Sequence, residues 1–202
     1  MCNRYRMTAK QAEVARRYGV EPPYPKDLTE PPPELFPDKP AMVVREEGGR
    51  RVLDVMAWGF PFQTRGASGK PVTKRVTNVR NLQSGFWRTA LATPERRCLV
   101  PFTAFSEYSQ TRGPDGKLPL HWFDLPSRPI ASFAGVWRST ATGPVFAFLT
   151  CEPNSLVAPV HPKAMPVILD PDGDGEGEAR WLRGELGELA SPFPAQLMRM
   201  DG

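Results

Sequence analysis

Residues 41–60 read AMVVREEGGRRVLDVMAWGF, and the division of this stretch decides the architecture. Two apolar, β-branched runs flank Glu47-Gly48-Gly49, a turn signature that makes them the arms of a β-hairpin. Runs of the same kind recur along the chain: RCLVPFTAFSEYS from Arg97, LPLHWFDL from Leu118, IASFAGVWRS from Ile130 and PVFAFLTCE from Pro144. Turn residues such as RGPDGK (112–117) and TATG (140–143) separate them. Regularly spaced strands of this sort predict a mainly antiparallel, barrel-like sheet.

Helical signals are fewer. Thr8 with Gln11 forms a capping-box pattern, Ala12, Val14, Ala15 and Tyr18 supply an apolar face, and Gly19 is a natural stop. SGFWRTALA is a short helix candidate capped by Ser84, and EGEARWLRGE, from Glu176, a late one. The class is therefore α+β with a few flanking helices, in a single domain spanning residues 1–202. Proline is the compositional outlier, 24 of 202 residues against an average near 5%. Much of it lies in residues 21–40, which cannot form helix or central strand and should wrap the surface as an extended connection.

Composition excludes several classes. Hydrophobic content of 40% with 24% charged residues is ordinary for a globular protein. No apolar run approaches the roughly 20 residues of a spanning helix, and the N-terminus lacks the apolar core of a signal peptide, so a cytoplasmic location is expected. Three scattered cysteines, Cys2, Cys98 and Cys151, fit neither a disulfide framework nor a zinc site. Cys98 and Cys151 lie in apolar runs, where free cysteine acts as a small hydrophobe. With only His121 and His161 besides, no metal or other cofactor is expected.

The net charge of +4 is compatible with a nucleic-acid partner. Lys74, Arg75 and Arg80 surround a short strand-like run, and Arg4, Arg6, Arg16 and Arg17 crowd the N-terminus; either group could equally be a solvated face. Polar residues inside apolar runs need explaining. Glu107, within FTAFSEYS, either alternates out to water or is buried beside a group that needs an acid or base. His161, between Val160 and Pro162, is either a satisfied structural imidazole or a site residue. Asn78 and Arg80, two apart in an extended run, would share one face and suit a ligand with an oxygen and a phosphate. Trp58, Phe62, Trp87 and Tyr108 are candidate base-stacking platforms, with Trp58 and Tyr108 preferred.

The chain opens MCNRYRMTAK. A small residue after the initiator allows removal of Met1, which would leave Cys2 with a thiol and an α-amine on adjacent carbons. Their ordinary pKa values, about 8.5 and about 7.7–8.0, leave a usable neutral-amine fraction near neutrality.

Read in order, MC-x-R at the N-terminus, the N-x-R of TNVRN followed by FWR, the FSEY strand and HPKAMPVIL resemble the SOS response-associated peptidase (SRAP) family of abasic-site processing proteins. The resemblance runs from Cys2 to about Arg199. It implies that, once Met1 is removed, Cys2 condenses with the ring-opened aldehyde of an abasic site in single-stranded DNA and closes a thiazolidine, giving a DNA-protein crosslink. It further implies that Asn78 holds the sugar-derived oxygen, that Arg80 and Arg4 contact flanking phosphates, and that Glu107 is the general acid and base for Met1 removal and proton transfer. His161 would assist at the sugar and phosphate. Pro40 would contribute to a wedge, Tyr108 would stand where the family stacks a tryptophan, and Lys163 would stand in place of an arginine. The partner is then single-stranded DNA, bound by a monomer. Two other functions fit an N-terminal cysteine or a basic surface: an amidohydrolase with an N-terminal cysteine nucleophile, and a non-catalytic single-strand-binding module.

Overall fold

A computed structural model describes residues 2–30 and 32–201. In chain order its elements are β1 (Tyr5–Arg6), α1 (Gln11–Tyr18), β2 (Glu34–Leu35), β3 (Pro40–Glu47), β4 (Arg50–Trp58), β5 (Phe60–Arg65), β6 (Pro71–Val76), β7 (Asn78–Val79), α2 (Arg88–Ala92), β8 (Arg97–Phe102), β9 (Ala104–Tyr108), β10 (Leu120–Asp124), β11 (Ala131–Thr140), β12 (Gly143–Cys151), β13 (Met165–Pro166), α3 (Glu176–Leu182) and β14 (Arg199–Asp201).

The hairpin of residues 41–60 is β3 and β4, paired from Pro40↔Ala57 to Glu47↔Arg50. Gly48 and Gly49 both take positive φ, 57° and 75°, the combination a tight two-residue hairpin turn requires. Around it five strands close a barrel: β3 pairs with β4 and β8, β8 with β11, and β11 with β12. The last seam, β12 to β4, is parallel and short, at Val145↔Ala57 and Phe146↔Trp58. Closure leaves no free edge among these five strands. The fold is α+β and mainly antiparallel.

A second, antiparallel sheet runs β14-β10-β9-β1-β2. The apolar run from Arg97 is two strands, one in each sheet: β8 belongs to the barrel and β9 to the second sheet, with the break at Thr103, whose amide donates to the Arg6 carbonyl at 2.8 Å. One chain segment thus carries Phe102 and Phe105 into the same core, where Phe102 stacks on Phe133 with centroids 3.9 Å apart. β5 and β6 form a separate two-stranded ribbon.

Two of the three helices begin later than the sequence pattern predicts, whereas α3 starts at Glu176 as expected. α1 has Lys10, not Thr8, as its N-cap; the Glu13 carboxylate accepts from the Lys10 amide at 2.8 Å, while the Thr8 hydroxyl meets Thr103 Oγ1. Ala12 is exposed and Gln11 is buried in its place, because the Gln11 amide donates to the carbonyls of Pro25, at 2.8 Å, and Leu28. That polar tether holds the proline-rich connection against the helix. Within this connection, Glu34–Leu35 is strand β2, paired with β1. Ser84 closes only a turn, and α2 starts at Arg88.

Trp58 is a core residue rather than a stacking platform. It is fully buried, its ring packs against Phe146 and Phe148, Tyr5 meets it edge-on at 5.1 Å, and its Nε1–H donates to the Thr77 carbonyl at 3.2 Å. Trp87 is buried as well. Trp58→Ala is therefore expected to lower unfolding stability by about 3–5 kcal/mol, measured by urea denaturation. A loss below about 1 kcal/mol would return Trp58 to the surface role.

Candidate active site at the N-terminal strand

β1 lies between β9 and β2, with Tyr5 opposite Phe105 and Leu35. Tyr5 faces the core and packs edge-on against Trp58, Phe133 and Phe148. Anchored in this way, the strand carries Cys2 into the molecule, where it is fully buried. The thiol meets the Arg4 carbonyl at 3.4 Å, and that carbonyl also accepts from the Ser106 amide and hydroxyl, each at 3.1 Å. Burial, reinforced by the charge of Glu107, pushes the Cys2 thiol well above its ordinary range. Met1, whose removal the sequence predicts, lies outside the described residues.

Three distant segments converge on Cys2. β7 runs parallel to β12, with Asn78 beside Phe148, so the Asn78 side chain points inward. Its Nδ2 donates to the Cys2 carbonyl at 3.0 Å and to Thr77 Oγ1 at 2.7 Å, and Thr77 Oγ1 in turn donates to Asn3 Oδ1 at 3.2 Å. Asn78 Oδ1 is buried with no hydrogen-bond partner among the described residues. It is a buried acceptor on the residue that holds the Cys2 carbonyl.

Glu107 comes from β9, on the Phe105 face, and is buried. Burial raises its pKa to about 7, the range in which a carboxyl group both gives and takes a proton at neutral pH. His161 follows a turn pinned by Asn154, whose Oδ1 accepts from the amides of Leu156 and Val157. Its Nδ1 lies 3.7 Å from Glu107 Oε2 and 3.5 Å from Gln110 Nε2. Burial, with the charges of Lys163 and Arg80 acting the same way, lowers its pKa to about 4, so the imidazole is neutral at neutral pH.

The residues expected to meet phosphates are differently committed. Arg80 is exposed, donates to the Lys163 carbonyl and lies 3.9 Å from Glu152, so it braces the His161 turn while one face stays in solvent. Lys163 and Pro40 are exposed. Tyr108, next to Glu107, is 48% exposed and offers a ring to solvent. Arg4 is held by Glu34, its Nε 2.8 Å from Oε2; Arg6 reaches the same carboxylate at 3.1 Å and lies over the Trp122 ring at 3.7 Å. Trp58 is not part of this surface. Asn3, Thr77, Ser106 and Gln110 also join the network; sequence reading gave them no role, since only the approach of distant segments brings them together. Among the described residues no cluster of His, Cys, Asp and Glu could hold a metal ion, and no helix is long and apolar enough to cross a membrane.

The family model described as SOS response associated peptidase (SRAP) matches residues 1–201. Solved structures share the fold. A protein from Bacteroides thetaiotaomicron superposes with a TM-score of 0.77 at 22% identity, covering 98% of this chain and 90% of its own. One from Bordetella bronchiseptica gives 0.72 at 24% identity, covering 98% of each chain. A phage-related protein from the same organism gives 0.63 at 16% identity, covering 99% of this chain and 93% of its own. No curated protein sequence matches the chain.

Burial of Glu107 fixes the sign of a pH effect. With its native pKa raised from 4.5 to about 7, the native state holds this proton more tightly than the unfolded chain does. Its contribution is full below about pH 4.5 and is lost as pH rises through about 7. His161 acts in the opposite sense, since the unfolded chain takes up a proton below about 6.5 that the native imidazole refuses until about 4. Glu107→Gln should therefore be more stable than the wild type at pH 8, by about 1–3 kcal/mol, with the difference closing toward pH 4. Urea midpoints at pH 4, 6 and 8 measure it, and a constant difference across that range would contradict the assigned burial effect.

Proposed function

The chain belongs to the SOS response associated peptidase family, and on that premise we propose that Cys2, exposed as the N-terminal residue by loss of Met1, captures abasic sites in single-stranded DNA as a covalent thiazolidine. The α-amine attacks the aldehyde carbon of the ring-opened sugar and water leaves, giving an imine. The thiol sulfur then adds to the imine carbon, and its proton ends on the nitrogen, closing a five-membered ring. One water is released overall, and no oxidant, reductant or cofactor is consumed. The protein acts as a monomer.

The observation that carries this reading is the convergence of Asn78, Glu107 and His161 on Cys2 from three separate segments. Glu107, with a pKa near 7, suits the proton traffic: it protonates the departing hydroxyl during imine formation and receives the thiol proton during ring closure. The same carboxyl is the general base for hydrolysis of the Met1–Cys2 peptide bond, the peptidase step of the scheme. His161, neutral at neutral pH, offers a hydrogen bond to the opened sugar without adding a charge. The buried Asn78 Oδ1, which has no hydrogen-bond partner among the described residues, accepts from a sugar hydroxyl, while its Nδ2 fixes the Cys2 carbonyl. Arg80 and Lys163, exposed beside the site, meet phosphates; Arg4 joins them by exchanging Glu34 for a phosphate. Tyr108 supplies a stacking face, and Pro40 lies at the start of β3, where a wedge would bear on the strand.

Incubation of the mature protein with a single-stranded oligonucleotide bearing one abasic site tests the reading. The expected product is a DNA band shifted by the protein's mass on a denaturing gel and resistant to boiling in detergent. An inert binding module or an amidohydrolase forms no such band, and glutamine hydrolysis would single out the latter.

Two variants divide the chemistry. Cys2→Ala keeps an α-amine but lacks sulfur, so it should give no boil-resistant product unless borohydride traps the imine, together with some strand cleavage by β-elimination. Stable crosslinking by Cys2→Ala without reductant would exclude the thiazolidine. Glu107→Ala should slow crosslinking by about 10²- to 10⁴-fold, read from single-turnover time courses, and unchanged rates would remove Glu107 from the proton path.

A further inference from the structure

The ribbon of β5 and β6, residues 60–76, contains Arg65, Lys70, Lys74 and Arg75 and no acidic side chain. The whole chain has 26 basic and 22 acidic side chains. Its entire net charge of +4 is therefore that of this one ribbon, and the rest of the molecule is balanced. The two strands pair only with each other, Phe60↔Val76 to Arg65↔Pro71. Beyond its base the ribbon stands away from the core, with most of residues 61–75 exposed.

Residues directly opposite in an antiparallel pair share a face. Phe62 pairs with Lys74 and Thr64 with Val72, so Phe62, 46% exposed, and Val72, 41% exposed, stand with Lys74 on one face. Arg75 is paired with Asp38 at 2.7 Å, whereas Arg65, Lys70 and Lys74 have no ion-pair partner among the described residues. Arg65, opposite Pro71, lies on the other face and Lys70 in the connecting turn, so the three uncommitted cations run from the Phe62 face around the tip of the ribbon. With the half-exposed Phe62 ring, which meets Phe86 edge-on at 5.7 Å, they are the elements of a surface around which a phosphate backbone wraps and on which a base stacks.

The ribbon is also continuous with the site. β6 ends at Val76, and two residues later Asn78 holds the Cys2 carbonyl. At its base Arg138 Nη2 donates to the Pro61 carbonyl at 3.1 Å and lies over the Phe60 ring, which also packs against Trp87. The arms are thus fixed at the end nearest Cys2, and each reaches outward by roughly 20 Å.

We propose that the β5–β6 ribbon is a second DNA contact, binding the phosphate backbone of the DNA that flanks the lesion through Arg65, Lys70 and Lys74, with Phe62 stacking a base. This rests on the reading of the Cys2 site as one that takes DNA. The ribbon holds the strand outside the reaction site, so its role is affinity and register rather than chemistry.

Fluorescence anisotropy with undamaged oligonucleotides tests the ribbon independently of Cys2 chemistry, which the crosslinking gel reads by itself. For single strands of about 20 nucleotides, the triple variant R65Q/K70Q/K74Q should bind at least about tenfold more weakly at low salt. Its plot of log affinity against log salt should be shallower by about 2, since each lost phosphate contact removes about 0.7. Phe62→Ala should weaken binding about fivefold or more without changing that slope. With strands of about 5 nucleotides, too short to engage the site and the whole ribbon at once, the triple variant should lose clearly less affinity than it does with the long strand. A third probe with a duplex flank separates the two sources of phosphate: a loss seen only there assigns the ribbon to duplex DNA, and a loss on the single strand assigns it to the unpaired flank. An unchanged salt slope with both long probes, an equal loss with the short one, or no binding by the wild type overturns the proposal. Unfolding midpoints of the variants, expected to be unchanged for these exposed side chains, exclude misfolding as the cause of a loss.

Discussion

The constraint on which the candidate site depends is the insertion of a two-residue strand, Tyr5–Arg6, between β9 and β2. So short a strand has few backbone hydrogen bonds of its own. What fixes it is Tyr5, fully buried and edge-on to Trp58, Phe133 and Phe148. Aromatic pairs of this kind contribute about 0.5–1.5 kcal/mol each beyond the area they bury. Three of them on one ring hold the chain end in a single register, and Cys2, three residues earlier, is thereby delivered to Asn78 and Glu107. An N-terminus left to itself frays; this one is sewn into a sheet.

Burial then sets the electrostatics. Desolvation disfavours charge on acids and bases alike, so it raises Glu107 and Cys2 and lowers His161. The result near neutral pH is a site whose thiol is protonated, whose imidazole is neutral and whose carboxyl is close to half-protonated. A thiol kept protonated needs a base at the moment it attacks, and in the proposed mechanism that base is Glu107, the same group whose charge raises the thiol.

Outside the site, charge is distributed by a different logic. Arg6 is paired with Glu34, Arg17 with buried Glu178, and Arg45 with Asp54. Such pairs are structural, linking β1 to β2, α1 to α3, and β3 to β4. On the β5–β6 ribbon only Arg75 has such a partner, and Arg65, Lys70 and Lys74 are left without one among the described residues, on a projecting element that carries no acidic side chain. Counting basic residues in the sequence cannot separate these two populations, because pairing is decided by which strands become neighbours.

Much was legible in the sequence, for local reasons. The β3–β4 hairpin follows from two glycines free to take positive φ between apolar runs, and the strand-rich α+β class from the regular turns. Asn78, Glu107 and His161 stood out because each sits within or beside an apolar run, and Cys2 because it follows the initiator methionine. Other features were decided by tertiary contacts. The stretch from Arg97 to Ser109 has the pattern of one strand, yet it serves two sheets because the Thr103 amide is drawn to the Arg6 carbonyl. α1 starts at Gln11 rather than near Thr8 because Gln11 is needed to hold the carbonyls of the proline-rich connection. Trp58 has the composition of a stacking residue, but the closing seam between β4 and β12 places it in the core. Amino-acid pattern determines which backbone conformations are cheap and which side chains prefer burial. Which segments meet, and hence which carboxylate lies beside which histidine and which arginine is left unpaired, is settled only when the barrel closes and the N-terminal strand finds its place in the second sheet.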